Sequence, residues 1–107
     1  GTSHWNGVWI AAEKGSGVLA IADARVVYVG WMHQLGLLMV LDHGDGYFSL
    51  YGHNQSALKS VGDEVKAGDT IAEAGDTGGH TKSGVYLEIR KGRKALNPTR
   101  WLNKARS

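Results

Sequence analysis

The side chains whose types could do chemistry here are histidines, carboxylates and a set of large aromatics. The five histidines stand at His4, His33, His43, His53 and His80, and no two of them have the i, i+2 or i, i+4 spacing that nucleates a metal site. The chain has no cysteine, which removes thiol catalysis, disulfides and thiolate zinc sites together. His33, His43 and His80 read as surface loop or turn residues. His53 reads differently, because an extended run into it places Tyr51 and His53 on one face. The same period of two sorts the last apolar run: Val85, Leu87 and Ile89 point one way, while Gly84, Tyr86, Glu88 and Arg90 point the other. The apolar set belongs to the core. Near the start, Trp5, Gly7 and Trp9 share a face if that segment is extended.

These residues need strands to position them, and the punctuation of the chain is that of an all-β domain. Sixteen glycines and a single proline separate short β-branched and aromatic runs. Strands are expected over 18–22, 25–31, 37–43, 47–51, 70–74 and 85–90. Leu37-Leu38-Met39-Val40-Leu41 is apolar without alternation and is expected to be buried on both faces. Asp45-Gly46 is a tight-turn signal that makes the flanking strands an antiparallel hairpin. Only residues 54–60 look briefly helical, with Asn54 or Ser56 as a cap. Between Val61 and Ile71 a Gly-Asp turn is followed by a second Ala-Gly-Asp turn, a pattern similar to the hammerhead of barrel-sandwich folds such as biotinyl and lipoyl carrier domains.

A chain of 107 residues is the size of one domain. Its 42% hydrophobic and 21% charged composition lies in the globular range, so a packed core is expected. Twelve Lys and Arg against ten Asp and Glu give a net charge of +2, with the excess gathered after Lys82 as a basic edge rather than a nucleic-acid stripe. The longest apolar run is far short of the roughly 20 residues that span a bilayer, so no membrane contact is expected of this domain. Gly1-Thr2-Ser3 has the composition of a cut linker, and residues 1–107 are expected to be the C-terminal domain of a longer protein.

Seven short motifs, in order, resemble one family. They are Gly7-Val8-Trp9-Ile10-Ala11-Ala12, Val26-Val27-Tyr28-Val29-Gly30, His43-Gly44-Asp45-Gly46-Tyr47, Tyr51-Gly52-His53, Val65-Lys66-Ala67-Gly68, Gly75-x-Thr77-Gly78 and Leu87-Glu88-Ile89-Arg90, with Asn97-Pro98 beyond them. The chain is similar to the LytM domains of the lysostaphin-type (M23) zinc peptidases. The resemblance implies an antiparallel sheet fold with barrel-sandwich-like features. Active members bind zinc through an HxxxD motif and the second His of an HxH motif. On the landmarks of this chain the metal-binding His falls on Trp5 and the Asp on Trp9, while the two histidines of HxH fall on Gly84 and Tyr86. Starting the first motif at His4 puts Val8 where the Asp should be. An indole offers zinc no lone pair and a neutral phenol is a poor donor, so neither a metal nor any other cofactor is expected, and no catalytic residue.

What survives of the family's cleft is expected to be a binding groove formed by Trp5, Asn6, Trp9, Leu35, Tyr51, His53, Tyr86 and Arg90. Trp, Tyr and Arg are the types enriched at interface hot spots. Arg90 is expected to be exposed, with little role in stability. Degenerate LytM domains of this kind resemble the murein hydrolase activators of Gram-negative bacteria. That likeness implies a periplasmic, non-catalytic domain that activates N-acetylmuramoyl-L-alanine amidases in septal cell-wall splitting. It also implies a parent protein with a coiled coil whose other regions answer to the FtsEX complex. A peptidoglycan-binding module without hydrolase activity is the alternative. A zinc endopeptidase is disfavoured by the missing ligands, and a biotinyl or lipoyl carrier by the lack of a lysine in the right setting.

Overall fold

The computed structural model describes residues 7–98, so Trp5 and Asn6 lie outside the described residues. Nine strands follow in chain order: β1 (Val8–Ala11), β2 (Gly17–Leu19), β3 (Ala24–Met32), β4 (Gly36–Gly44), β5 (Tyr47–Ala57), β6 (Glu64–Val65), β7 (Thr70–Ala74), β8 (Gly84–Lys91) and β9 (Lys94–Leu96). Their backbone path is β1-β8-β5-β4-β3-β6, with β2 on β7, β7 on β5 and β9 on β8. The pairings are antiparallel. The all-β, antiparallel architecture expected from the motifs is therefore present among the described residues.

The organising strand is β5. Its first half pairs with β8, ending at Gly52 opposite Tyr86. Its second half leaves β8 and pairs with β7, from Asn54 opposite Ala74 to Ala57 opposite Ala72. His53 sits between the two, with φ of 63°. One strand thus passes from one layer to the other, and the turn of direction falls on a left-handed residue. This also explains why residues 54–60 contain no helical turn. The amide of Asn54 donates to the Leu37 and Tyr51 carbonyls rather than capping a helix, and the backbone from Asn54 to Ala57 continues in the ladder with β7.

Local chemistry accounts for the connections. Asp45 and Gly46 both have positive φ, 54° and 81°, the requirement of the tightest hairpin turn, and β4 and β5 pair on either side. Between Ser60 and Asp69 one turn is used twice: Ser60 N–H donates to the Asp63 carboxylate and Lys66 N–H to the Asp69 carboxylate, each at 2.8 Å. The two short residues of β6 fit between these turns and pair with Ala24 and Arg25. In β4, Leu38 and Met39 are both 1% exposed although they point to opposite faces, as the unalternating run predicts.

The core gathers Val26, Leu41, Ile71, Ala72 and Leu87 around Tyr51. Tyr51 was expected in the groove, and the structure places it elsewhere: its ring is 2% exposed. Gly52, not Tyr51, stands opposite Tyr86 on β8, so period two puts Tyr51 on the inner face. Its hydroxyl accepts Ile21 N–H at 3.3 Å and lies 2.8 Å from Ser49 Oγ. His43 continues the chain, its ring 2.6 Å from Ser49 Oγ and 2.9 Å from the Asp23 carbonyl. Tyr51→Phe strips a buried hydrogen-bonding group and should lower the unfolding free energy by about 1–3 kcal/mol in urea denaturation. Properties that depend on the outer cleft should be unchanged.

Candidate functional site

The site forms where β1, β8 and the corner of β5 meet. Antiparallel register sets Trp9 opposite Tyr86 across β1 and β8, and Gly52 opposite Tyr86 across β8 and β5. Tyr86 is therefore the central residue of a three-strand row. Two glycines make room for the aromatic rings. A Cβ on Gly7 would stand 2.5 Å from the Tyr86 ring, and one on Gly84 would stand 2.7 Å from the Trp9 ring. Gly52 supplies the third opening, with Leu35 and Tyr86 on its two sides, their Cβ atoms each 3.6 Å from where its own would be.

The half-buried Trp9 indole collects both cleft histidines. His80 stacks on it with centroids 3.8 Å apart and planes 23° off parallel, and His53 meets it edge-on at 5.7 Å. The two imidazoles are 4.8 Å apart. His53 is fixed by its backbone N–H donating to the Leu35 carbonyl at 2.6 Å and by its Nδ1 at 2.5 Å from the Thr77 carbonyl. Thr77 in turn fastens the loop that carries His80. Its hydroxyl donates to the Asn54 carbonyl at 2.7 Å and accepts Leu37 N–H at 3.1 Å.

Below Tyr86 lies Glu88, a carboxylate only 4% exposed. Its Oε1 accepts from Arg90, 2.9 Å from Nε and 2.6 Å from Nη2. Its Oε2 accepts the Tyr86 hydroxyl at 3.2 Å. Burial pushes the Tyr86 phenol up to about 12; the charge of Glu88 and the hydrogen bond to it act in the same direction, and Arg90 partly opposes them. The phenol is therefore a firm donor at neutral pH.

Of the residues expected in the groove, Trp9, Leu35, His53 and Tyr86 come together, and Arg90 joins them through Glu88. Tyr51 does not, and Trp5 and Asn6 lie outside the described residues. Arg90 was expected to be exposed with little role in stability; its side chain keeps 39% exposure, but it also compensates the buried Glu88 carboxylate. His80 lies in a partly exposed loop, as expected, and its ring in addition packs on Trp9. No local pattern announces it, because its place depends on what Thr77 reaches across the chain. Glu88 could have been found, since it alternates with Tyr86 and Arg90 on one face.

The antiparallel sheet thus gathers Trp9, His53, His80 and Tyr86 where β1, β8 and the corner of β5 meet, and the family resemblance assigns metal-ligand positions to two of them, Trp9 and Tyr86. The chain belongs to peptidase family M23, which it matches over residues 3–98. It is 47% identical over 104 residues to the murein hydrolase activator EnvC of Escherichia coli strain K12, covering 97% of this chain and 25% of that protein. The murein hydrolase activator NlpD of the same strain is 42% identical over 97 residues, covering 90% of this chain and 25% of that one. The chain thus spans about a quarter of the length of these curated relatives. Among solved structures, the catalytic domain of the antimicrobial peptidase lysostaphin from Staphylococcus simulans superposes with a TM-score of 0.87 at 29% identity, over 92% of this chain and 78% of that one.

The cleft side chains do not fit the zinc that the family's peptidases use. Zinc needs three or four lone-pair donors. The cleft offers two imidazoles and a phenol that stays protonated, and both oxygens of Glu88 are engaged. No group of three or more His, Cys, Asp or Glu among the described residues could hold a metal ion.

The buried phenols make a pH prediction. Tyr51 and Tyr86 both stand at about 12 in the fold against an ordinary 10.0, Tyr51 mainly through burial. Below the ordinary value the folded and unfolded chains are equally protonated, and the phenols' contribution to stability is complete. As pH rises from there the unfolded chain loses its protons first, so stability should fall and the contribution should be lost as pH passes about 12. Denaturant midpoints measured across that window should decline, and Tyr86→Phe should make the decline shallower.

Proposed function

We propose that this domain is a non-catalytic activator of peptidoglycan hydrolases, and that it binds periplasmic N-acetylmuramoyl-L-alanine amidases through the cleft of Trp9, Leu35, His53, Tyr86 and Arg90. The observation that carries the reading is the Trp9–Tyr86 pair. At the two register positions that the family resemblance assigns to metal ligands, this chain presents an indole and a phenol that cannot serve a metal but can serve a partner. Half-buried aromatics beside an arginine are the usual make-up of an interface hot spot. Relatives at 47% and 42% identity that are named murein hydrolase activators support the same direction. As those relatives are some four times longer, control by FtsEX is assigned to other regions of a longer periplasmic protein, of which this would be the C-terminal domain.

The test mixes the purified chain with such an amidase and dye-labelled sacculi. Dye release should rise well above that of the amidase alone. The chain without amidase should release nothing, and elemental analysis should find far less than one zinc per chain. Arg90→Lys keeps a cation beside Glu88 but loses the planar fork. It should raise the concentration giving half-maximal stimulation by about tenfold, equivalent to about 1.4 kcal/mol, while the domain remains folded at the assay temperature. Dye release by the chain alone would make it a hydrolase. Sedimentation with sacculi without stimulation of the amidase would make it a peptidoglycan-binding module.

A further inference from the structure

We infer that Glu88 is a positioning residue for recognition: from beneath the cleft it holds the Tyr86 hydroxyl and the Arg90 guanidinium in one fixed arrangement that the partner reads. This rests on the reading of the cleft as the amidase-binding surface. Among the described residues, Glu88 is the one carboxylate in the buried class, at 4% exposure. A buried carboxylate is costly unless its oxygens are matched by donors. Here the match comes from two side chains on the same strand face, two residues to either side: Tyr86 on Oε2 and Arg90 on Oε1. Neither is needed to close a strand ladder, since β8 is paired through its backbone to β1, β5 and β9.

The consequence lies in what the two groups can still offer. With its proton committed to Glu88, Tyr86 presents its oxygen lone pairs as an acceptor. Arg90, with Nε and Nη2 on Glu88, keeps a partly exposed guanidinium whose orientation is set. An acceptor and a donor are thereby placed side by side, a pattern suited to the amide groups of a protein partner. A long, unanchored arginine would lose rotamer freedom on binding, and the carboxylate removes that loss in advance. Glu88 touches no partner itself in this arrangement and acts through its two neighbours.

The experiment has an arm that needs no amidase. In Glu88→Gln, the phenol of Tyr86, followed by NMR in isotope-labelled tyrosine and assigned with Tyr86→Phe, should titrate below the parent's value of about 12, with burial still holding it above the ordinary 10.0. An unmoved titration would overturn the inference even if the domain proved not to activate amidases. In the activation assay Glu88→Gln should raise the half-maximal concentration by about tenfold. In an Arg90→Lys background the same change should add clearly less than tenfold, because part of the effect of Glu88 runs through Arg90 and part through Tyr86. Full additivity, or a half-maximal concentration within twofold of the parent despite a shifted phenol, would reduce Glu88 to a structural role and sink the idea. Should Glu88→Gln fail to fold, Glu88→Asp keeps the charge but draws it back by one methylene. It is expected to show the same two effects with smaller size, and no effect in either arm would overturn the inference. Failure of the unaltered chain to stimulate any amidase would instead sink the proposed function, leaving the titration arm to judge Glu88.

Discussion

Everything at the cleft follows from the demand that one strand serve two successive partners along the edge opposite β4. β5 pairs with β8 up to Gly52 and with β7 from Asn54 onward, and one residue must absorb the change of direction. That residue is His53, held in left-handed backbone geometry, which a side-chain-bearing residue adopts only at some cost. The surroundings fix it from both sides, through the Leu35 carbonyl on its N–H and the Thr77 carbonyl at its ring. The corner in turn decides which side chains look outward. Tyr51 turns into the core, Gly52 clears space beneath Tyr86, and His53 swings back to face Trp9.

Around that corner the cleft is built by filling rather than by opening. The indole of Trp9 lies over Gly84 and the phenol of Tyr86 over Gly7, so each ring uses the missing side chain of the strand opposite. Beneath them the buried charge of Glu88 finds its compensation in the same residues that line the surface. Packing and polar satisfaction therefore share their members, and a change at Tyr86 or Arg90 touches both. This coupling separates the cleft from the polar hollow between Asp42 and Lys66, where Arg25 pairs with Glu64 and Lys66 with Asp23 at exposed positions. Exposed pairs of that kind contribute little to stability.

Much of the fold could be read from local signals. The Asp45-Gly46 hairpin, the strand at Thr70–Ala74 and the two-faced burial of Leu38 and Met39 each depend on a few neighbouring residues, and each is as expected. β1, β6 and β9 were not legible, since strands of two to four residues exist only because β8 or β3 is there to pair with. In the cleft, alternation along β8 correctly sets Tyr86 and Arg90 apart from the core. The same rule fails across residues 51–53, because alternation assumes an extended backbone and His53 breaks it. His80 was beyond reach for a different reason: its position is set by Thr77 bonding to Asn54 and Leu37, contacts more than 20 residues away in the chain.

The Gly84–Trp9 fit also bears on how such a domain can change over evolutionary time. A histidine at 84 needs a Cβ where the Ile10 carbonyl oxygen stands 2.4 Å away and the Trp9 ring 2.7 Å away, so it cannot enter while the indole and the β1 backbone keep their places. An aspartate at 9 would vacate the indole's volume above a glycine and leave a hollow with nothing to fill it. Packing thus opposes a histidine at 84 and an aspartate at 9, two of the changes that would bring back the family's motifs. A chain that has placed these rings at the β1–β8 edge is in that sense held in its present form by packing, independently of any function the edge serves.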